Sequence, residues 1–235
     1  MKMGIIGAME SEVQNLIARM ENITYREKAG RRFAVGSLSG KEVVVVQSGI
    51  GKVAAAITAQ MLIDEFSVDA LLNTGMAGGL DSRLAVKDLV IATAALQHDF
   101  DITAFGHARG YLYGEDDQKP TLFVADTALC DKARIAAAQV LPEGNKAIDG
   151  IVASGDVFVD DSVLKAQLRD GFGAAAAEME GAAIAQTAVA NGVPFVILRT
   201  ISDLAEHQAN ISFDELERYA GKLAGDITMA LLANL

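Results

Sequence analysis

Short runs rich in β-branched residues alternate along the chain with longer, Ala-rich stretches whose apolar positions recur every three or four residues. The runs predict strands over 3–7, 33–38, 42–47, 70–74, 89–94, 148–154, 174–178 and 195–202. The stretches predict helices over 9–20, 52–66, 121–140, 162–169, 180–191 and 212–233. Strands alternating with helices of this length indicate an α/β fold in three layers, α/β/α, with helices on both faces of a central twisted sheet. The break at 37–40 between two extended runs reads as a hairpin, so the sheet is expected to be mixed. There is no repeat, low-complexity tract or linker, and Pro120, Pro142 and Pro194 are dispersed, so 1–235 reads as a single domain.

Several predicted strands end in small or polar residues: Gly7-Ala8-Met9, Ser48-Gly49-Ile50-Gly51, Asn73-Thr74-Gly75, Ser154-Gly155-Asp156 and Ser202-Asp203. In open α/β sheets ligands sit beyond the carboxyl ends of the strands, so these five segments are candidate walls of a site. Two glycine patterns are weaker than they look. Gly49-Ile50-Gly51-Lys52 lacks the spacing of a phosphate loop and has Val53 where a magnesium-holding Ser or Thr would stand. Gly4-Ile5-Ile6-Gly7 lies inside a strand and lacks the dinucleotide fingerprint. Neither ATP nor NAD is supported.

The chain carries a formal net charge of −11, which disfavours nucleic-acid phosphates and anionic membrane surfaces and favours a small neutral or zwitterionic substrate. No apolar run approaches a membrane span, and the start, with Glu10 and Glu12 close behind Ala8, is too short for a signal-peptide core. Cys130 is the one cysteine, so no internal disulfide forms, and it reads as a small apolar helix residue. A soluble cytoplasmic protein is expected. His98, Asp99 and Asp101 lack a recognised ligand spacing, so neither a metal nor another cofactor is expected.

Three carboxylates stand at predicted junctions: Glu12 in the first helical turn, Glu180 opening a helix behind an Ala-rich strand, and Asp203 ending the strand 195–202. Each also has a structural use, in the dipole of a helix N-terminus or as the cap of a turn. The apolar stripe Met9, Val13, Leu16, Ile17 and Met20 leaves Glu10 and Glu12 on opposite flanks, each about 80° from its centre, so periodicity does not choose between them. Alternation likewise does not separate Glu178 from Glu180.

Taken in order, nine stretches resemble a known family: Gly4-Ile-Ile-Gly-Ala-Met-Glu-Ser-Glu12, Ser48-Gly-Ile-Gly-Lys52, Asn73-Thr-Gly75, Ala77-Gly-Gly-Leu80, Asp101-Ile-Thr-Ala-Phe-Gly106, Ser154-Gly-Asp156, Glu178-Met-Glu180, Ile201-Ser-Asp203 and Ile211-Ser-Phe-Asp-Glu215. They are similar to the bacterial 5′-methylthioadenosine/S-adenosylhomocysteine nucleosidases, of the nucleoside phosphorylase-like fold. The resemblance implies that Glu12 activates water and that Asp203, with Ser202 beside it, protonates adenine N7. It implies that Glu180 binds the ribose hydroxyls, Met179 packs on the sugar and Phe158 stacks on adenine. The backbones of Val159 and Gly78 would also contact the ligand. Met9, Ile50, Phe105 and Phe213 would form an apolar slot for the alkylthio group. It further implies a homodimer, in which a partner subunit completes that slot through the segment 105–113. Met76, His107 and the loop 108–117 depart from the family pattern and bear on preference at the 5′ end.

The chemistry asks for such a set. Protonation at N7 lets adenine leave neutral, so the acid must hold a proton, and burial of Asp203 against Phe158 would serve that need. A carboxylate across the sugar stabilises the cationic carbon and deprotonates water. The closest rivals are a phosphorylase of the same fold and an aminofutalosine hydrolase. Phosphate wants cations, yet 69–81 holds no Arg or Lys and Glu12 would repel it.

Overall fold

The apolar runs become strands buried on both faces. Met3–Gly7 is buried throughout, as are the four consecutive valines Val43, Val44, Val45 and Val46, and such continuous burial needs cover above and below. The computed structural model of the chain describes residues 1–204 and 213–235, the side chains of Leu204, Phe213 and Asp214 excepted. In chain order the elements are β1 (Met3–Gly7), α1 (Glu10–Ile17), β2 (Glu21–Lys28), β3 (Arg31–Leu38), β4 (Lys41–Gln47), α2 (Lys52–Phe66), β5 (Ala70–Gly79) and β6 (Leu89–Gln97). A 3₁₀ turn (Thr103–Phe105) leads to β7 (Phe123–Val124), α3 (Thr127–Val140), β8 (Ala147–Ser154), α4 (Ser162–Phe172), β9 (Ala174–Glu178), α5 (Gly181–Ala190), β10 (Phe195–Leu204) and α6 (Phe213–Ala233).

The strands form one mixed sheet in the order β10-β6-β8-β9-β5-β1-β4-β3-β2, with β7 on the flank of β6. Strands β4, β1, β5 and β10 run parallel. Because β5 also pairs β9, the circuit β5-β10-β6-β8-β9 closes on itself, so half of the twisted sheet is a small barrel rather than an open layer. The expected hairpin is present. Leu38 pairs Lys41 across Ser39 and Gly40, whose φ values of 49° and 72° are the left-handed pair that a two-residue hairpin turn requires.

Three expectations shift. β2 is a strand beyond those expected: it is an edge strand exposed on both faces, so burial imposes no period-two signal on it, and it is joined to β3 by the similar turn Ala29-Gly30. The helix expected over 121–140 begins at Thr127. Phe123 and Val124 instead pair Ala95 and Ala94 of β6, and Asp126 caps α3 by accepting the Leu129 N–H at 2.9 Å. β5 runs on through the glycines to Gly79, since β10 and β9 give that stretch ladder partners on both sides. Of the helix expected over 212–233, residue 212 lies outside the described residues. Among the described residues no helix is long and apolar enough to cross a membrane.

α1 is held in place by α6. Ser11 Oγ donates to Glu217 Oε1 at 2.5 Å, and Arg19 pairs with Asp226 at the same distance. Gly221 lets the two backbones approach: a Cβ there would stand 3.1 Å from the Ser11 carbonyl carbon and closer still to its oxygen. Helix propensity alone would make Gly221→Ala stabilising by about 1 kcal/mol. The clash outweighs it, and a net loss of about 1–2 kcal/mol is expected in urea unfolding. A stabilised variant would contradict this packing.

Candidate active site

Beyond the carboxyl ends of β1, β5, β9 and β10 lies a cavity of about 200 Å³. Met9, Glu12, Ile50, Gly78, Phe158, Val159, Met179, Glu180, Ser202 and Asp203 all line it. Met76, Val157, Glu178 and the small residues Ala8, Ala77 and Ala177 complete its lining. Phe105 is on the 3₁₀ turn, 80% exposed, and does not line the cavity of its own chain. The Phe213 side chain lies outside the described residues.

Glu12 and Glu10, equivalent by periodicity, are distinguished by backbone geometry. Glu10 is exposed, whereas Glu12 turns under the end of β1 and is buried. Its Oε2 accepts the N–H groups of Ala8 (2.6 Å) and Met9 (3.0 Å), and its Oε1 accepts that of Met76 (3.0 Å). Burial pushes the Glu12 carboxyl above the ordinary glutamate value, while Arg199 and the three N–H groups oppose the shift. The result is a fixed carboxylate of raised basicity.

Arg199, in the middle of β10, is 1% exposed. Its Nη2 donates to Asn73 Oδ1 at 2.7 Å and to Glu178, and lies 3.5 Å from Glu180 Oε2. Its Nη1 reaches the Met76 carbonyl at 3.4 Å. Burial works against the guanidinium charge, but Glu178, Glu180 and Glu12 outweigh it and raise its pKa. Only glycine fits at position 75, where a Cβ would stand 2.5 Å from Arg199 Nη1 and closer to the Glu12 carboxylate.

Glu178 and Glu180 are both buried but differ in what is left to them. Glu178 accepts from Ser154 Oγ, from Arg199, and from the N–H groups of Glu180 (3.1 Å) and Gly181 (2.8 Å) at the start of α5. Its acceptor sites are taken up inside the protein. Glu180 accepts the Gly51 N–H at 2.9 Å and faces the cavity with capacity to spare. Burial, and then the charge of Glu178, push Glu180 up to about 7.

Asp203 does not sit buried against Phe158 as expected. Its side chain is 44% exposed and Phe158 is 70% exposed, so Phe158 does not shield it from solvent. Instead Asp203 Oδ2 meets Lys165 Nζ of α4 at 3.1 Å, and Oδ1 accepts from Ser202 Oγ at 2.9 Å.

The loop between β4 and α2 is tied to the same end of the sheet. The Lys52 N–H donates to Asp156 Oδ1 at 2.8 Å, and Lys52 Nζ pairs with Asp99 at 2.6 Å, which in turn accepts the Asp156 N–H at 2.9 Å. Lys52 therefore braces two loops. Asp101 accepts from Thr103 at the 3₁₀ turn, and His98 is buried beside Gly155, where burial holds its imidazole below the ordinary range.

The model of the phosphorylase superfamily matches residues 2–233. The 5′-methylthioadenosine/S-adenosylhomocysteine nucleosidase of Shewanella sediminis (strain HAW-EB3) is 44% identical over 100% of both chains. The chain belongs to this nucleosidase family of the phosphorylase superfamily. Among solved structures, the nucleosidase of the same name from Colwellia psychrerythraea 34H, in complex with adenine, superimposes with a TM-score of 0.91 at 40% identity, covering 100% of this chain and 96% of that one. The futalosine hydrolase of Helicobacter pylori strain 26695 superimposes with a TM-score of 0.89 at 32% identity over 100% and 98%.

Two charged groups that meet the acids of this site, Arg199 and Lys165, are hard to foresee from the sequence. Arg199 stands alone as a charge in the apolar run Phe195-Val-Ile-Leu-Arg-Thr-Ile201, and that interruption was the available signal. Lys165 carried none, since a lysine on an amphipathic helix reads as solvated. Removing Arg199 would leave buried carboxylates uncompensated. Arg199→Met is expected to cost about 3–5 kcal/mol in urea unfolding at neutral pH, with a smaller loss in acid, where the carboxylates can take protons. A loss below about 1 kcal/mol would contradict the cluster's role.

Proposed function

We propose that the chain hydrolyses the N-glycosidic bond of 5′-methylthioadenosine and S-adenosylhomocysteine, and of 5′-deoxyadenosine, releasing adenine and the corresponding sugar. The observation that carries this reading is that Glu12 and Asp203 line one cavity, together with the buried carboxylates Glu178 and Glu180.

Asp203 gives its proton to purine N7, the C1′–N9 bond breaks with its electron pair going to the base, and adenine leaves neutral. The positive charge on the sugar meets Glu12 and Glu180 in a site partly shielded from water. A water then bonds to C1′ and gives its proton to Glu12. Glu180 holds the ribose hydroxyls, Met179 packs on the sugar and Phe158 stacks on the base. The Val159 and Gly78 backbones meet the base edge. Met9 and Ile50, with Phe105 and Phe213, form the thioether slot. Ser202 holds the carboxylate of Asp203 in place.

Arg199 bears on the phosphorylase alternative, because it is a cation that the segment 69–81 did not reveal. It is surrounded by Glu12, Glu178 and Glu180, so three carboxylates face one guanidinium and the floor stays hostile to phosphate. The same reading extends to a cytoplasmic homodimer of single nucleosidase domains spanning 1–235. Phe105 and Tyr113, both exposed, suit burial against a partner whose 5′ pocket they would close.

Asp203→Asn and Glu12→Gln are each expected to lower kcat/KM for 5′-methylthioadenosine by about 10²–10⁴-fold with the circular dichroism spectrum unchanged. Near-wild-type adenine release by either variant would reject its assigned role. Futalosine-type nucleosides run in parallel test the alternative substrate class, which faster turnover than of the thioether nucleosides would favour. The base must be ionised, and burial raises Glu12, so activity should fall in acid with a midpoint above pH 4.5. A profile flat down to that pH would contradict Glu12 as the base.

A further inference from the structure

The cavity wall carries the carboxylates of Glu12, Glu178 and Glu180, yet Asp203 is met by an ammonium. Lys165 lies on the inner side of α4, its side chain 7% exposed. Lysine is rarely taken out of water to that extent without a partner of opposite charge. The position is fixed by the fold. Asp161 caps α4 by accepting the Val163 N–H at 2.8 Å, and Leu168 packs with Val159, Ala153 and Ala177. The segment that lines the purine end of the cavity at Val159 thus runs directly into the helix that carries the ammonium.

The geometry points to Lys165 as the positioning residue of the proton donor: it holds the Asp203 carboxylate at the purine end of the cavity, within reach of the leaving base. This rests on the reading of Asp203 as the general acid. In one turnover Asp203 takes a proton from solvent, passes it to N7 and returns to the ion pair. Lys165 takes no part in the proton transfer, and water is the only co-reactant.

Groups on three elements meet Asp203. Lys165 faces it from α4, the Ser202 hydroxyl from its own strand, and the Gly78 backbone from β5, where a Cβ would stand 3.4 Å from the carboxylate. Among the described residues the other charged groups on the wall are Glu12, Glu178 and Glu180, and Arg199, on the same strand, is turned toward them. Removing the ammonium therefore leaves the carboxylate without the contact that fixes it from α4.

The test is kcat and KM, measured separately, for adenine release from 5′-methylthioadenosine by the full chain. In Lys165→Met, which keeps the length of the stem, kcat should fall by about ten-fold or more while KM stays within about two-fold, because the carboxylate is displaced from the leaving base and the binding surfaces are untouched. Lys165→Arg should restore most of kcat. Lys165→Gln should lower kcat as Lys165→Met does, and it serves in place of the methionine variant should that fail to fold. An unchanged kcat in a folded Met or Gln variant, or a loss that Lys165→Arg does not restore, overturns the inference. Asp203→Asn separates the two claims. If it is inactive while kcat of the Lys165 variants stays, only the role of Lys165 fails; if it is active, both fail.

Discussion

Arg199 is taken out of water in the middle of an apolar strand, and the site is arranged around that fact. A buried guanidinium loses several kcal/mol of hydration unless opposite charges and good acceptors meet it. Here Glu178, Glu180, Asn73 and the Met76 carbonyl do so, with Glu12 close by. The cluster also joins elements that are far apart in sequence: β10 supplies the cation, the β9–α5 junction two carboxylates, and α1 the third. Gly75 is the counterpart in the backbone, since any side chain there would intrude between Arg199 and Glu12.

The carboxylates share one cation, but their surroundings give them different work. Glu178 is bonded on every side within the protein and acts as an anchor. Glu180 keeps acceptor capacity toward the cavity, and Glu12 is pinned by three N–H groups while burial strengthens it as a base. At the far end Asp203 is open to solvent and paired with an ammonium. The proposed base and the proposed acid thus differ in environment rather than in residue type alone.

Much of this was legible in the sequence. The alternation of strands and helices, the 37–40 hairpin and the small residues at strand ends all correspond to elements in place, because burial on both faces of β1 and β4 imposes continuous apolar runs. What escaped notice has physical reasons. β2 has no buried face, so it carries no pattern. β7 is two residues long and depends on β6 for its existence. The choice between Glu10 and Glu12, or between Glu178 and Glu180, is made by which backbone N–H groups point at each carboxylate, and no periodicity encodes that. The Lys165–Asp203 pair spans 38 residues and two elements, so only the fold brings it together.

On the proposed function, a carboxylate-rich floor selects water over inorganic phosphate as the group that attacks the sugar. Turnover of 5′-methylthioadenosine in ¹⁸O-water containing excess phosphate tests it directly. One heavy oxygen at C1 of the released 5-methylthioribose, with a rate independent of phosphate, is the expected result. A sugar 1-phosphate, or a rate that rises with phosphate, would contradict it.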